Sequence, residues 1–288
     1  MDAPRLGIGI ISAGKVGVVL GAALAASGHR ITGVHAVSEA SRERADALLP
    51  GVQILDPAEI LRRSELVIFA VPDDVLGELV QGLAAGGHFV TGQLVAHTAG
   101  RYGIGILEPA IAAGAFGLAI HPAMTFTGMS MDLHRLTDCV FAVTADEIML
   151  PVAQALVVEM RGEPVVIAEH DRVSYHAALA HAANHLNTIT AQSADMLRRI
   201  GVEDPSATLR ALMSASLDNA LRSGALALTG PVARGDVGTV QAHLASMVKD
   251  QQDTQDSYRS LSRATAMRAA ALGRISQATL QELLQVLE

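Results

Sequence analysis

The chain has 288 residues, which is long for one open α/β domain and sufficient for two domains with buried cores. Half of the residues are hydrophobic and 17% are charged, a composition typical of globular rather than disordered proteins. The formal net charge is −8 and no basic stripe is present, which disfavours nucleic acid and membrane surfaces as partners. No apolar run reaches the roughly 18 residues of a membrane span and no signal peptide is evident, so a cytoplasmic protein is expected.

Strands and helices are predicted to alternate over the first 168 residues. The predicted strands are the apolar runs at residues 6–11, 31–37, 66–71, 89–97, 115–120, 139–143 and 165–167. Apolar strands separated by helices indicate a mostly parallel sheet covered on both faces, as in a Rossmann domain. Cys139, the only cysteine, falls in a strand and is expected to be a small buried side chain rather than a catalytic thiol.

After residue 168 only helices are predicted. Residues 171–200 are alanine-rich and free of glycine and proline, which predicts a helix of about 45 Å. Its apolar face is more than one small domain can cover, which favours a homodimer. The sequence therefore predicts an N-terminal Rossmann domain at 1–168 and an all-α domain at 169–288 for substrate binding and dimerisation.

A glycine-containing turn follows the first strand and opens an apolar helix. Its residues are Ser12, Ala13, Gly14, Lys15, Val16 and Gly17. Serine stands where the G-x-G-x-x-G fingerprint has its first glycine. Gly14 lets the backbone approach a pyrophosphate, Gly17 lets the helix pack on the strand, and the amides that start the helix favour an anion. The alternative is a tight strand–helix turn without a ligand.

The end of the second strand indicates which cofactor is bound. Ser38, Ser41 and Arg42 are predicted to hold the 2′-phosphate of NADP, with Arg44 as a further candidate. Glu39 would suit the ribose hydroxyls of NAD if it pointed inward, so NADP is favoured over NAD. These residues are alternatively the solvated first turn of a helix.

Two later strand ends are predicted to border the nicotinamide, because ligands bind at the carboxyl ends of strands in open α/β sheets. The candidates are Val71, Pro72, Asp73, His97 and Thr98, and Asp74 is expected to cap the next helix. For His97 the alternative is a histidine that satisfies backbone groups at a strand end.

The substrate is predicted to meet His121 and the helix that carries His176, His181 and Asn184. Reduction of a carbonyl creates an alkoxide, which needs hydrogen-bond donors and a proton. His181 and Asn184 are one turn apart and could hold one oxygen together. Alternatively, these histidines are hydrogen-bonded core residues. His181 and His185 have the spacing of metal ligands, but no carboxylate completes such a site, so no metal is predicted.

Two loops supply further candidates for substrate binding. Thr125 follows His121 in a polar–apolar loop, and Arg234 in a Thr-Gly-Pro-Val-Ala-Arg-Gly-Asp loop is a candidate anion clamp. Asp236 is expected to cap the helix that follows, and a purely structural turn is the alternative for this loop.

The motifs S-A-G-K-V-G, A-V-P-D-D, H-T-A-G, H-P-A-M-T-F, Y-H-A-A and L-T-G-P-V-A-R-G-D occur in this order. Together they resemble a two-domain Rossmann-like family whose C-terminal half is a domain of unknown function. That family lies in the 6-phosphogluconate dehydrogenase-like superfamily, with ketopantoate reductase and pyrroline-5-carboxylate reductase as relatives. The resemblance implies NAD(P)-dependent reduction and dimerisation through the helical domain.

Within that pattern, His176 and Asn184 match the histidine and asparagine of the family's Y-H-A-A helix. The catalytic lysine of the superfamily is absent, with Ala180 or His181 near its place. The leading hypothesis is an NADPH-dependent reductase of a small 2-keto acid, ketopantoate first. The alternatives are an imine or other NADP-dependent reductase, and a regulatory protein that binds NADP without turnover.

Overall fold

The computed structural model describes residues 5–288. Its contacts divide the chain into a first unit that ends at Ala180 and a second unit, His181–Glu288. One sheet of seven strands occupies the first unit, in the order β2-β1-β3-β4-β5-β6-β7. The strands are β1 Gly7–Ile11, β2 Arg30–His35, β3 Leu66–Phe69, β4 Leu94–His97, β5 Phe116–Pro122, β6 Val140–Ala145 and β7 Glu163–Val166. Strands β1 to β5 pair in parallel, whereas β6 runs antiparallel to β5.

Thirteen α-helices accompany the sheet within the described residues. In the first unit they are α1 Lys15–Ala26, α2 Glu39–Leu48, α3 Pro57–Arg63, α4 Asp73–Ala85, α5 Glu108–Ala112, α6 Met131–Arg135 and α7 Leu150–Glu159. Helix α8, Arg172–Arg199, crosses the division between the units. The second unit continues with α9 Pro205–Ser223, α10 Pro231–Arg234, α11 Val237–Ser246, α12 Gln252–Ala271 and α13 Gln277–Val286.

Helices cover both faces of the sheet, which explains why its central strands are apolar throughout. On one face Ile10 of β1 packs with Leu20 of α1 and Val157 of α7. On the other face Phe69 of β3 packs with Val80 of α4 and neighbouring side chains. The predicted fold class, a Rossmann domain with a mostly parallel sheet followed by helices, is confirmed. The domain limits at residue 168 stay a prediction.

Two details of the predicted elements are wrong. The strand expected at 89–97 begins only at Leu94, because Gly92 adopts φ +83 and turns the chain before the sheet is reached. Pro72, not Asp74, is the residue before α4, and Asp73 and Asp74 lie in the first turn, where their charges complement the helix dipole.

The second unit has its own small core. Val240 of α11, Ala266 of α12 and Leu283 of α13 are fully buried together with Leu287. Helix α9 takes no part in that core, and Pro205 is its one buried residue. Among residues 5–288 no helix is both long enough and apolar enough to cross a bilayer.

Candidate functional site

The glycine turn has the geometry that the sequence predicts for a phosphate-binding turn. Strand β1 ends at Ile11, and α1 starts at Lys15 with Gly14 at its N-cap position. Ser12 adopts φ +85, in the left-handed region that favours glycine. Ser12 thus takes the backbone conformation that the first glycine of the fingerprint supplies in other proteins. The Ala13 N–H donates to the His35 carbonyl at 2.7 Å, which ties the turn to the end of β2.

Gly17 brings the helix unusually close to the turn. A Cβ on Gly17 would lie 2.3 Å from the Ser12 carbonyl oxygen, so only glycine fits without a backbone shift. A Cβ on Gly14 would meet nothing closer than 3.4 Å. Among the described side chains none caps α1, and its first turn carries no acidic residue. The amides at this helix start are therefore not engaged by a side chain, as an anion site requires.

Most of the residues predicted to select NADP lie around the start of α2. Ser38 caps this helix by accepting the Ser41 N–H at 3.2 Å, and the Ser41 hydroxyl donates to the Ser38 carbonyl at 2.6 Å. Ser41 is buried, whereas Ser38, Glu39 and Arg42 are exposed. The Ser41 hydroxyl is thus engaged locally, and Arg42 is a surface side chain.

Arg44 lies closer to the glycine turn than its neighbours on α2. Its Nε donates to the Ala13 carbonyl at 3.3 Å. A Cβ on Gly128, which has φ +81, would lie 2.8 Å from Arg44 Cδ and 3.1 Å from Lys15 Cγ. Arg44 and Lys15 therefore place two positive charges beside the turn, with the Gly128 loop packed against both.

Asp132 holds that loop in place. Its fully buried carboxylate accepts the Thr127 and Gly128 N–H groups at 2.7 and 2.8 Å and pairs with Arg135 at 3.2 Å. Burial alone raises the pKa of Asp132, but the hydrogen bonds from Gly128 and Thr127 and the charge of Arg135 outweigh it and lower the pKa overall.

The ends of β3 and β4 lie beside the turn, because β1 pairs with β3 and β3 with β4. Val71 and Asp73 are half-buried and Pro72 is exposed. Asp73 pairs with Arg101 at 3.4 Å. Thr98 is half-buried, and its N–H donates to the Phe69 carbonyl. These residues are positioned at the carboxyl edge of the sheet, where the sequence predicts the nicotinamide.

Both ring nitrogens of His97 are engaged by backbone groups. The Ala99 N–H donates to Nδ1 at 3.1 Å, which leaves Nε2 to donate to the Gly103 carbonyl at 2.7 Å. The side chain is fully buried, and burial lowers the pKa of His97 to about 4. His97 is therefore neutral at neutral pH and braces the turn after β4.

His121 and His176 meet in front of Gly100. Their ring centroids are 6.1 Å apart and nearly perpendicular. A Cβ on Gly100 would lie 2.6 Å from His176 Cδ2 and 2.9 Å from His121 Nε2, so glycine leaves room for both rings. On the far side of its ring, His121 Nδ1 lies 3.0 Å from the Tyr175 hydroxyl. Two predicted residues are thus brought together, with a tyrosine that the sequence analysis did not select.

Arg172 anchors the start of α8 to the sheet and was not recognised from the sequence. Its guanidinium is fully buried. Nε donates a hydrogen bond to Thr144 Oγ1 at 2.8 Å, and Nη2 donates to the Ala119 and Ala142 carbonyls at 2.9 and 3.2 Å. Among residues 5–288, Nη1 has no hydrogen-bond partner. Burial lowers the pKa of Arg172 to about 10, so it remains charged at neutral pH.

Within the second unit, the predicted site residues lie on α8 and α10. Asn184 is exposed. The ring of His181 contacts the ring of His185, with 2.9 Å between the two Nδ1 atoms. The two histidines line a groove of about 480 Å³ together with Leu186, Ile189, Asp256, Ser257 and Leu261, among others. In the described part of the chain, no three potential ligands are arranged to hold a metal ion.

The loop that carries Arg234 is a single helical turn between two glycines. Gly230 and Gly235 adopt φ +95 and +75, and the exposed Arg234 ends α10. Asp236 caps α11 by accepting the Thr239 N–H at 3.0 Å, as the sequence predicts. In the first unit, Thr125 is exposed in the loop after β5.

Cys139 is buried immediately before β6. Burial raises the pKa of its thiol to about 11, so the thiolate that a nucleophile requires is not formed at neutral pH. This agrees with the expectation of a small buried side chain.

Residues 1–122 match the Rossmann-like domain, and residues 139–265 match a domain of unknown function, DUF2520. The two matches confirm the arrangement that the motifs indicate. No curated protein matches the sequence significantly.

Solved structures similar to this chain share its fold at low identity. A Bacteroides fragilis protein proposed to be an NADP oxidoreductase is 22% identical over 91% of this chain and 98% of its own, with a TM-score of 0.78. An imine reductase variant from Myxococcus stipitatus, bound to NAD+, is 17% identical over 98% and 100%, with a TM-score of 0.63. A pyrroline carboxylate reductase from Plasmodium falciparum, with NADP bound, is 13% identical over all of both chains, with a TM-score of 0.57.

Proposed function

Because the chain joins a Rossmann-like domain to a DUF2520 domain, we propose that it is an NADPH-dependent oxidoreductase that reduces a small 2-keto acid, with ketopantoate as the leading substrate. One observation carries the proposal. The glycine turn after β1 and the histidine pair at Gly100 lie at the same carboxyl edge of one sheet. Ligands of open α/β sheets bind at that edge, where the chain reverses its direction across the sheet.

The residues at this edge suit a dinucleotide. The α1 amides at Gly14 would receive the pyrophosphate, and the close approach at Gly17 keeps them in place. Arg42, Arg44 and Lys15 supply positive charge for a 2′-phosphate, while the exposed Glu39 is the one acidic residue in α2's first turn. When bound, the nicotinamide supplies the hydride for reduction.

The other predicted residues complete the proposed cofactor site. Ser12, Ala13 and Val16 belong to the turn proposed for the pyrophosphate, and Ser38 and Ser41 to the proposed 2′-phosphate site. The residues proposed around the nicotinamide are Val71, Pro72, Asp73, His97 and Thr98. For His97, which is fully buried with both nitrogens on backbone groups, we propose that it supports the nicotinamide site through the turn after β4.

The protein's own residues must stabilise the oxygen that becomes an alkoxide. His121 and His176 are the proposed donors in the first unit, because both rings pack against Gly100, just after the carboxyl end of β4 where the nicotinamide is proposed. The predicted roles of His181 and Asn184 as donors, and of Thr125 and Arg234 as contacts for a substrate carboxylate, stay predictions. A carboxylate suits Arg234, because a guanidinium can bind it through two parallel hydrogen bonds.

Imine reduction is the second candidate. The similar structures include an imine reductase and a pyrroline carboxylate reductase, whose names describe reduction of a C=N bond. An imine must be protonated to accept hydride, and the same histidine pair could supply that proton.

The proposed partner, besides the small substrate, is a second copy of the chain. Helix α9 leaves Leu212, Leu217 and Leu221 exposed by 64%, 48% and 79%, and Leu226 after it by 68%. Apolar side chains in such number along one helix favour burial against another subunit. Neither nucleic acid nor a membrane is proposed, since the net charge is −8.

The test follows NADPH absorbance with a panel of 2-keto acids, ketopantoate included, and of cyclic imines. We expect oxidation with 2-keto acids, and a loss of at least about 100-fold in His121→Asn, because general acid–base groups contribute that much or more. Oxidation with imines alone would establish the second candidate. Saturable NADPH binding without oxidation would identify a regulatory NADP-binding protein and contradict the proposal.

A further inference from the structure

Tyr175 is paired with His121 in a geometry that suits proton transfer. The hydroxyl lies 3.0 Å from Nδ1, and the two rings are edge-to-face, 5.6 Å apart at 86°. Both side chains are half-buried. On the opposite edge of the imidazole, Nε2 faces Gly100. The histidine therefore has one nitrogen at the tyrosine and the other at Gly100, which follows the carboxyl end of β4.

The charge state of His121 decides how it can move a proton. The titratable or charged groups around it are His97 from β4, and Arg172, Tyr175 and His176 from α8. Burial, then the charge of Arg172 and the neighbouring histidines, lowers the pKa of His121 to about 4. The ring is neutral at neutral pH and carries one N–H. If the Tyr175 hydroxyl donates to Nδ1, that N–H is on Nε2 and points at Gly100.

A neutral imidazole cannot give up its only proton without receiving another, since an imidazolate is far too basic. The low pKa also disfavours an imidazolium. A proton that arrives at Nδ1 while one leaves Nε2 avoids both charged forms. This requires a donor on Nδ1, and Tyr175 is placed there.

We propose that Tyr175 and His121 form a proton relay that supplies the proton for the reduction, an inference that rests on the proposed function. A bound reduced nicotinamide would supply the hydride; from this chain, the His121 Nε2–H bond breaks and its proton goes to the substrate oxygen or nitrogen. The Tyr175 O–H bond breaks in turn, and its proton forms the new Nδ1–H bond. After the product leaves, Nδ1 returns its proton to the tyrosinate and Nε2 takes one proton from water, which restores both groups. His121 is the catalytic residue, and Tyr175 acts through it.

Arg172 supports the negative charge that this relay leaves on Tyr175. It lies one turn earlier on α8, and its three hydrogen bonds all go to neutral oxygens, so no bound carboxylate cancels its charge. Burial raises the pKa of Tyr175, and the charge of Arg172 opposes that rise. The buried guanidinium thereby lowers the cost of forming the tyrosinate.

The chain supplies its own matched control. In the second unit His243 Nδ1 lies 2.8 Å from the Tyr258 hydroxyl, with ring centroids 5.9 Å apart at 78°. Tyr258→Phe removes the same hydroxyl from the same kind of pair. It tests whether any change in Tyr175→Phe comes merely from the loss of a tyrosine–histidine hydrogen bond.

The first measurement is made on the intact protein without substrate. Nitrogen-15 NMR of the histidine side chains at neutral pH reports the tautomer of His121, which His121→Asn assigns by loss of its signals. We expect the Nε2–H tautomer in the wild type, and in Tyr175→Phe a changed Nδ1 shift with a mixture of tautomers. Tyr258→Phe should change only His243. An Nδ1–H tautomer, or a His121 signal unaffected in Tyr175→Phe, would overturn the relay.

The second measurement uses the substrate that the panel identifies. Tyr175→Phe should lower kcat by about 100-fold with KM within about twofold, the loss expected for a missing proton source. The alkaline limb of the wild-type kcat profile should lie above pH 10, the ordinary pKa of tyrosine being 10.0, and should vanish in Tyr175→Phe. If Tyr175→Phe had the same kcat as Tyr258→Phe and the same pH profile as the wild type, the relay would be overturned while the proposed function stands. Absence of turnover in the wild type would refute the proposed function instead, whatever the NMR result.

Discussion

Gly17→Ala adds one methyl group to α1 and is expected to weaken both the fold and NADPH binding. The added Cβ would lie 2.3 Å from the Ser12 carbonyl oxygen and 3.0 Å from Ala70 Cβ. The first contact is about 0.7 Å shorter than 3.0 Å, the shortest distance at which real Cβ atoms approach a neighbouring heavy atom. Because the clashing atom belongs to the backbone, the turn or the helix start must move. No side-chain rotation can relieve the contact.

The expected magnitude comes from two opposing terms. Alanine is favoured over glycine inside a helix by about 0.8–1.0 kcal/mol. Overpacking a tight contact costs about 1–3 kcal/mol. The net change should therefore be a loss of up to about 2 kcal/mol in the free energy of unfolding. Displacing the turn amides also weakens hydrogen bonds to the pyrophosphate, worth about 1.5–3 kcal/mol each, which lowers NADPH affinity by about 10- to 100-fold.

Gly82→Ala is the matched control. Gly82 lies in α4, and a Cβ there would meet nothing within 4 Å. The same chemical change should stabilise the fold by about 1 kcal/mol and leave NADPH affinity unaltered. Urea unfolding and titration of NADPH by its own fluorescence measure both quantities, since the chain has no tryptophan. A Gly17→Ala protein that is as stable as the wild type and binds NADPH within twofold would refute the reasoning.

As the pH falls from 6.5 to 4, His97 should lower the free energy of unfolding by about 1.4 kcal/mol per pH unit, because the unfolded chain then binds the proton that His97, with a pKa of about 4, does not. His97→Gln should reduce this slope in urea unfolding curves, and an unchanged slope would contradict the assignment. NADPH should bind more tightly than NADH, and Arg44→Ala should bring the two affinities together; equal wild-type affinities would point to Glu39 and NAD. Light scattering should give twice the 30.0 kDa chain mass, and a monomer at micromolar concentration would exclude dimerisation through α9. Asn184→Ala should lower kcat by about 100- to 1000-fold with little change in KM, whereas a destabilised but fully active variant would assign Asn184 a structural role.

The fold could be predicted because its signals are local. Residues 66–69 are apolar without interruption, and the structure buries all four on both faces of the sheet. The direction of β6 could not be predicted, because nothing in Val140–Ala145 distinguishes an antiparallel from a parallel strand. The start of β4 was misplaced because Phe89 is apolar and buried although it lies outside the strand.

The candidate site likewise has a part that local sequence predicts and a part that only the folded chain assembles. The glycine turn occupies six consecutive residues, so its geometry follows from local sequence, including the positive φ that Ser12 adopts in place of glycine. Tyr175 and His121 are 54 residues apart, and only the folded sheet brings them together. No periodicity marks Arg172 as buried, since charged residues are rarely found in a core. Its role depends on carbonyl groups of two strands that the sequence alone could not orient.

Transfer of deuterium from the reduced nicotinamide to the product tests the proposed reductase most directly. The protein is incubated with NADPH that carries deuterium at C4 of the nicotinamide, on one face in a first experiment and on the other face in a second. The substrate is the 2-keto acid that is turned over fastest. Mass spectrometry should find one deuterium on the new carbinol carbon with one labelled face and none with the other. Product without label from either face, or no product from any 2-keto acid or imine while NADPH stays bound and intact, would contradict a hydride-transferring reductase.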